Sequence, residues 1–498
     1  MLEQLSAVAE IVFDLRFVLL VLAGAAAGLL VGALPGLSVS MATALLVSVT
    51  YSWSTADALA TIMGVYVVGV FSGAVSAILI NIPGAPSSVV TTLDGYPMAQ
   101  HGEANRALQY ATVYSFVGTL FGILALWVLA GPISAVALRF TPMDYFLLAA
   151  LGLTTVGGLT AKSPAKGFVS AAAGLVFSMV GLDPVLGSPR LTLGLSQLQT
   201  GINIVPALVG LFGFSELLWM IGGGDLSGSA LPKSKKGDRL MTMLKQLPQS
   251  LYYSLIGMLV GALPGAGGPV ASFLAYGEAK RITKKPSRPF GQGAVEGIVA
   301  SEAANNACIG GALIPMLTLA VPGDAVTAIV LSVFMVHGLQ PGPMFIQSSP
   351  QIFYTIIAGG LLGAVFLLAM GLLLAPRLGR LLQLPRRRLI PVVAALCVIG
   401  AFACNNRIFD VYLMLFFGVL GYLMRRREYP TAPMTLALVL GSMMDTNFRR
   451  AVSLASSADC FFLSLLGRPV TLMLLTLLAV VLAAALLTST KTAKRRRR

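Results

Sequence analysis

Apolar runs long enough to cross about 30 Å of hydrocarbon recur along the whole chain, among them Phe17 to Leu34, Leu108 to Ala130, Phe353 to Ala375 and Val470 to Leu487. A water-soluble globule has no place for so much apolar sequence: 56 % of the 498 residues are hydrophobic, 11 % are charged, and the mean hydropathy is +0.86. The chain is therefore expected to fold in a bilayer. Barrel strands alternate polar and apolar side chains, whereas these runs are uniformly apolar and rich in Leu, Ala, Val and Gly, so the spans are helices. The expected fold is an all-α polytopic membrane protein with roughly 10–12 transmembrane helices.

The net charge of +15 sits in short basic clusters between apolar runs: Lys233 to Arg239, Lys280 to Arg288, Arg386 to Arg388, Arg425 to Arg427, and the terminal KTAKRRRR. That is the positive-inside pattern, and it argues for loops facing cytoplasm and anionic membrane lipid, not for nucleic acid. The N-terminal segment carries Glu3, Glu10 and Asp14 against Arg16 alone, with no basic region or small-residue cleavage site, so it does not read as a removable signal peptide. An outside N-terminus and a cytoplasmic C-terminus follow as expectations. Cys308, Cys397, Cys404 and Cys460 lack C-x-x-C spacing and read as packed thiols. His101 and His337 each precede a glycine and read as turn or interfacial residues.

One helix-breaking phrase is written twice. GLLVGALPG, Gly28 to Gly36, returns as GMLVGALPG, Gly257 to Gly265. Proline removes a backbone donor and glycine adds chain freedom, so neither copy continues a helix. In lipid such a break survives only where protein or a water-filled cavity surrounds it. Each copy is followed by a second correspondence: Ser72 to Pro97, broken at Pro83-Gly84, and Gly310 to Pro343, broken at Pro322-Gly323. In both, an apolar helix of about half a membrane thickness is expected to precede the break. The chain thus reads as an internal duplication. The first copy leads to STAD (Ser54 to Asp57), without Lys or Arg, and the second leads to KRITKKPSR. Exits on opposite sides are what an inverted-topology repeat requires, with a hairpin folded at Leu263 to Gly268. The expected organisation is residues 1–225 as the first repeat half, 226–246 as a basic cytoplasmic linker, 247–376 as the second half, and 377–498 as C-terminal helices with a basic tail.

Breaks of this kind place helix termini at mid-membrane, where N–H groups carrying partial positive charge suit a carboxylate and carbonyl ends suit a small cation. The expected substrate-binding set is Pro35, Gly36, Ser38, Ser40, Asn81, Pro83, Gly84, Pro86, Ser87, Ser88 and Thr91 from the first half. Pro264, Gly265, Gly267, Pro322, Gly323 and Thr327 come from the second. Carboxylates and amides enter an otherwise small and apolar helix at Glu302, Asn305 and Asn306, and Asp324 flanks the last break. These four are the candidates for cation coordination or protonation; the competing reading places Glu302 in water on an interfacial helix. For Asp94 a turn role is at least as good a reading. Arg449 and Arg450 fall on the expected outer side, against the charge rule, so either they dock a partner or substrate or the last spans lie elsewhere. GGGD (Gly222 to Asp225) and GGLTAKS (Gly157 to Ser163) imitate an intramembrane protease motif and a P-loop, but neither has the surroundings that chemistry needs.

The phrases GALPG, AILINIPGAPSSVVTTLDGYPMAQHGEANRAL, GALPGAGGPVASFLAYGEAKR and GAVEGIVASEAANNACIGGALIPMLTLAVPGDAVTAIVL, with HGLQPGPMF and NNRIFDVYLMLFFGVLGYLMRRREYPTAPMTLALVLG, cover nearly the whole chain. Together they resemble the large membrane subunit of the tripartite tricarboxylate transporter family. The resemblance implies a bacterial inner-membrane secondary transporter that imports an organic di- or tricarboxylate, driven by sodium or protons and using no other cofactor. It also implies a small membrane subunit of about four helices and a periplasmic solute-binding protein as partners. Ser301 and Asp324 depart from the family's usual Pro and neutral hydroxyl residue. Alternatives from other classes are a passive channel or scaffold subunit and, remotely, an intramembrane aspartyl protease.

Overall fold

A computed structural model describes residues 2–34, 37–159, 164–183, 187–222, 237–238, 240–378, 386–454 and 467–496. Pro35, Gly36, Cys460, Asp225 and most of the expected linker lie outside the described residues. The first repeat contains α1 (Leu2–Phe13), α2 (Leu15–Ala33), α3 (Val39–Val49), α4 (Thr55–Ile80), α5 (Val89–Gln100) and α6 (Ala104–Ala137). Two helices follow, α7 (Pro142–Leu159) and α8 (Pro164–Ser178), then a short antiparallel hairpin of β1 (Gly181–Leu182) and β2 (Pro189–Arg190). The next crossing is α9 (Ile204–Leu208), continued by a π-helical turn at Val209–Phe214 into α10 (Ser215–Gly222). After a short α11 (Leu240–Met243), the second repeat comprises α12 (Leu247–Gly261), α13 (Gly267–Ile282), α14 (Val295–Leu319), α15 (Ala325–Val336), α16 (Phe345–Ser348) and α17 (Pro350–Leu373). The described chain ends with α18 (Arg386–Ala403), α19 (Ile408–Arg426), α20 (Thr431–Leu454) and α21 (Pro469–Arg496).

Among the described residues six helical stretches are long and apolar enough to cross a membrane: α2, α4, α6, Ile204–Ile221, α17 and α19. The larger number of crossings expected from the sequence falls in part on shorter apolar helices such as α3, α15 and Ile390–Ala403.

Small residues set the packing. A Cβ on Gly24, Gly28 or Gly32 of α2 would collide with the carbonyls of Thr61, Val65 and Gly69 on α4, respectively. The ascending order makes α2 and α4 parallel, with backbones in direct apposition. The second repeat repeats the register: Gly257 and Gly261 of α12 meet the carbonyls of Ala304 and Cys308 on α14. Farther on, Gly84 lies against the Gly32 carbonyl and Gly73, and Gly323 against the Gly261 carbonyl and Ala312. Val65, Gly69, Gly73 and Gly84 therefore map onto Ala304, Cys308, Ala312 and Gly323 at a constant offset, and the internal duplication is a three-dimensional one.

The two copies point in opposite directions. Gly118 and Gly122 of α6 meet Ala303 and Ala307 of α14, so those helices are parallel. Gly359 and Gly363 of α17 meet Met63 and Val67, which makes α17 parallel to α4, while Gly360 on Ile123 and Gly371 on Thr112 make it antiparallel to α6. Hence α4 opposes α14, and the repeats are inverted.

One expectation is corrected. The helices before the second break are not half-length: α4 has 26 residues and α14 has 25, about 38 Å each. Both end in a left-handed residue, Asn81 (φ 58°) and Ala320 (φ 57°). The chain then folds back along the helix it has just left; the Gly84 N–H donates to the Gly73 carbonyl at 3.3 Å. Gly73 and Ala312 are small enough to admit the returning backbone.

Candidate functional site

The centre of the molecule is α14, buried over nearly its whole length. Glu302 is fully buried, which removes the reading that places it in water. The Ser115 hydroxyl donates to one carboxylate oxygen at 2.9 Å and the Thr91 hydroxyl to the other. None of the ion pairs among the described residues includes Glu302. One turn on, the Asn306 amide donates to the Thr119 hydroxyl at 3.0 Å, and its carbonyl oxygen has no partner in the protein. Asn305, 1 % exposed, has no protein partner for either amide atom.

Buried polar atoms are almost always bonded, so these atoms are unused hydrogen-bonding capacity inside the protein. Asn305 abuts the start of α13: a Cβ on Gly268 would collide with its side-chain oxygen and lie 3.2 Å from Cβ of Ser87. The α13 N-terminus has no side-chain cap. Ser87 and Ser88 are buried at the first-repeat break, and the Ser88 hydroxyl has no protein partner. Thr91 and Glu302, and Ser87 and Asn305 on either side of Gly268, are thus brought together from the two repeats, with Asn306 one turn along α14; the Ser88 hydroxyl lies toward Gly73 of α4, and Gly267 toward Asp324.

The second break is tied differently. The Gly265 N–H donates to the Gly323 carbonyl at 2.7 Å, joining the Pro264-Gly265 and Pro322-Gly323 turns. Asp324 caps α15 reciprocally with Thr327, its Oδ1 accepting from the Thr327 N–H and hydroxyl at 2.8 Å. Its Oδ2 accepts from the Tyr66 hydroxyl at 2.6 Å, across the repeats. Ser38 spends its hydroxyl on capping α3 through the Met41 N–H (3.1 Å). Ser40 lies on α3, which packs on α4, α15 and α18 rather than on α14. Asn81 and Pro86 are exposed, and Pro83 and Gly84 half-buried, at the turn where α4 reverses. A surface cavity of about 410 Å³, between Asn105 and Gln109 of α6 and Gly371 and Pro376, touches none of these residues.

Asp94 is not a simple turn residue. Its Oδ1 accepts the N–H groups of Gly291, Gly293 and Ala294 at 2.8–2.9 Å, and its Oδ2 accepts the Tyr276 hydroxyl at 2.9 Å. It clamps the first repeat onto the start of α14. At the same end Glu103 pairs with Arg288 (2.7 Å) and Arg106 (3.2 Å), and Arg106 with Asp238 (2.9 Å). At the opposite end Arg449 pairs with Asp445 (2.9 Å) and Asp183 (3.2 Å), and Arg190 with Asp445 (3.0 Å). Arg449 is thus balanced within the chain. His337 is a helix-ending residue whose Nδ1 lies 2.9 Å from the Val333 carbonyl.

Tyr66, Ser115 and Thr119 were missed by sequence reasoning. Ser115 and Thr119 are four apart on one face of α6, a spacing that could have flagged them. Tyr66 stands at the repeat position equivalent to Asn305, which aligning the two halves past their proline breaks would have shown.

Residues 18–436 match the tripartite tricarboxylate transporter TctA family. The chain belongs to that family. An uncharacterized 52.8 kDa protein in the TAR-I ttuC' 3' region of Agrobacterium vitis is 35 % identical over 447 residues, covering 89 % of this chain and 88 % of the relative. A second uncharacterized protein, in the TAR-II ttuC' 3' region of the same organism, is 37 % identical over 228 residues, 45 % of this chain and 94 % of the relative. No solved structure matches. As a TctA family member the chain is a multi-pass membrane component of a transporter that has other subunits, and membership implies that it is not an enzyme. The repeat breaks and all of α14 fall within the matched residues.

Proposed function

We propose that this TctA family chain carries an organic di- or tricarboxylate into the bacterial cytoplasm, coupled to sodium or protons, with the passenger between the two repeats. A small membrane subunit and a periplasmic binding protein that delivers the passenger complete the assembly. The observation that carries the reading is the Asn305 side chain, buried with neither amide atom bonded, beside the uncapped start of α13. Helix N-terminal N–H groups, the Asn305 amide and the Ser87 hydroxyl are donors suited to a carboxylate without an intramembrane arginine. Glu302 and Asn306 form the coupling site: a buried carboxyl without a basic partner is costly as a bare anion, so a proton or a cation balances it during the cycle. In this reading the basic ends of α13, α19 and α21 face the cytoplasm of the inner membrane, and the N-terminus faces outward.

The test is uptake into vesicles holding the full assembly, given citrate and imposed sodium or pH gradients. Uptake should follow one gradient and be lost, at least about tenfold, in Glu302→Gln, which keeps the size of the side chain but exchanges one acceptor oxygen for a neutral NH2 donor. Flux indifferent to every gradient would instead make the chain a passive channel.

A further inference from the structure

Four helices begin at the breaks, and they are not alike. The α3 start is closed by its own Ser38 hydroxyl, and the α15 start by the Asp324 carboxylate. The α13 start and the Pro86–Ser88 turn that leads into α5 have no side-chain cap. The site is therefore lopsided, with donors for an anion on one side and a fixed acidic group on the other. The sides adjoin: a Cβ on Gly267 would touch Cβ of Asp324 at 3.4 Å, while its neighbour Gly268 faces Asn305 and Ser87.

A neutral residue caps a helix as well as aspartate does, so capping alone does not account for the charge at Asp324. The first-repeat residue at the equivalent position is Ala85. Only Oδ1 of Asp324 serves the cap; Oδ2 takes the Tyr66 hydroxyl and keeps a second lone pair, on a side chain that is only half-buried. A carboxylate approaching that oxygen is repelled, whereas a hydroxyl can donate to it.

We propose that Asp324, positioned by Tyr66, is a second subsite that reads a hydroxyl donor on the passenger, while Asn305, Ser87 and the α13 N-terminus hold its carboxylate. The assignment rests on the carboxylate reading above and narrows it to hydroxy acids. It fixes the orientation of the passenger and lets the chain refuse acids of the same shape without the hydroxyl, since desolvating Asp324 without a donor is costly.

Binding to the purified full-length protein tests this by calorimetry with two matched pairs: 2-hydroxysuccinate against succinate, and citrate against propane-1,2,3-tricarboxylate. The wild type should prefer the hydroxylated member of a pair by at least about tenfold. In Asp324→Asn the amide oxygen keeps the cap and the NH2 group replaces the reading oxygen, so the preference should fall to within about threefold; Asp324→Ser, also a good cap, should do the same. Asn305→Ala should weaken both members of a pair alike. A preference unchanged in both Asp324 variants overturns the assignment, and loss of sodium dependence in those variants would then give Asp324 to the cation. If no acid of either pair binds, the carboxylate reading fails and this inference with it; equal binding of both members sinks only the inference.

Discussion

Tyr66 and Asn305 occupy equivalent positions in the two inverted repeats, and each reaches across to the other repeat's break. Tyr66 bonds Asp324 of the second break, and Asn305 faces Ser87 of the first over the start of α13. The equivalence is geometric, but the chemistry is not: the phenol has a protein partner and the amide has none. Asn305→Ala should therefore remove no hydrogen bond from the fold. Its melting temperature in detergent should stay within a few degrees of wild type while uptake falls at least about tenfold. A variant that unfolds would show that the amide serves the fold and not a ligand.

The close backbone approaches make a second expectation. A methyl group on Gly323 would collide with the Gly261 carbonyl and with Ala312, both parts of rigid helices. Gly323→Ala should cost about 1–3 kcal/mol, read as a lower melting temperature. Gly277→Ala in α13 is the control, because no other part of the protein lies within 4 Å of the added carbon and no proline follows it. It should leave stability unchanged or raise it slightly, as alanine replaces glycine in a helix. Equal losses at both positions would mean that the glycines act through chain entropy and not through contact.

Much of this architecture is legible in the sequence, because its causes are local. Apolar runs give the helices, Pro-Gly pairs give the breaks, and the repeated GALPG gives the duplication. The fold-back after α4 and α14 is less legible, since it depends on Gly73 and Ala312 leaving room one helix away. Asp94 looks like a turn residue in sequence because its three backbone partners lie some two hundred positions later, at Gly291 to Ala294. Arg449 looks out of place for the same reason, as Asp183 is remote in the chain. Tyr66 sits in an apolar helix where an aromatic residue ordinarily means packing, and only the opposing break gives its hydroxyl a purpose.

Asp94 leads to a third expectation. Asp94→Ala would leave three N–H groups and the Tyr276 hydroxyl without their acceptor at a buried position, with a cost of about 3 kcal/mol or more. Asp94→Asn keeps one acceptor oxygen for the N–H cluster and should be milder, about 1–2 kcal/mol. Hydrogen exchange at Gly293 and Ala294 should rise steeply in the alanine variant and modestly in the asparagine one. Unchanged protection in both would mean that the loop before α14 is held by other contacts.

The last expectation concerns pH, at Glu103, which lies outside the spans. Partial burial alone would raise its carboxyl, but Arg288 and then Arg106 outweigh that and hold it below its ordinary value of 4.5. A carboxylate whose folded value is depressed adds stability that is complete above the unfolded value and is lost as pH falls through the folded one. The wild type should thus be more stable than Glu103→Gln at neutral pH, and the gap should close as pH drops from 4.5 downward. Because Arg288 lies on the loop between α13 and α14, the closing gap should appear first as faster hydrogen exchange from Ser287 to Ala294, ahead of global melting. A gap that stays constant through the acid range would show that Glu103 contributes by shape and hydrogen bonding alone, without its charge.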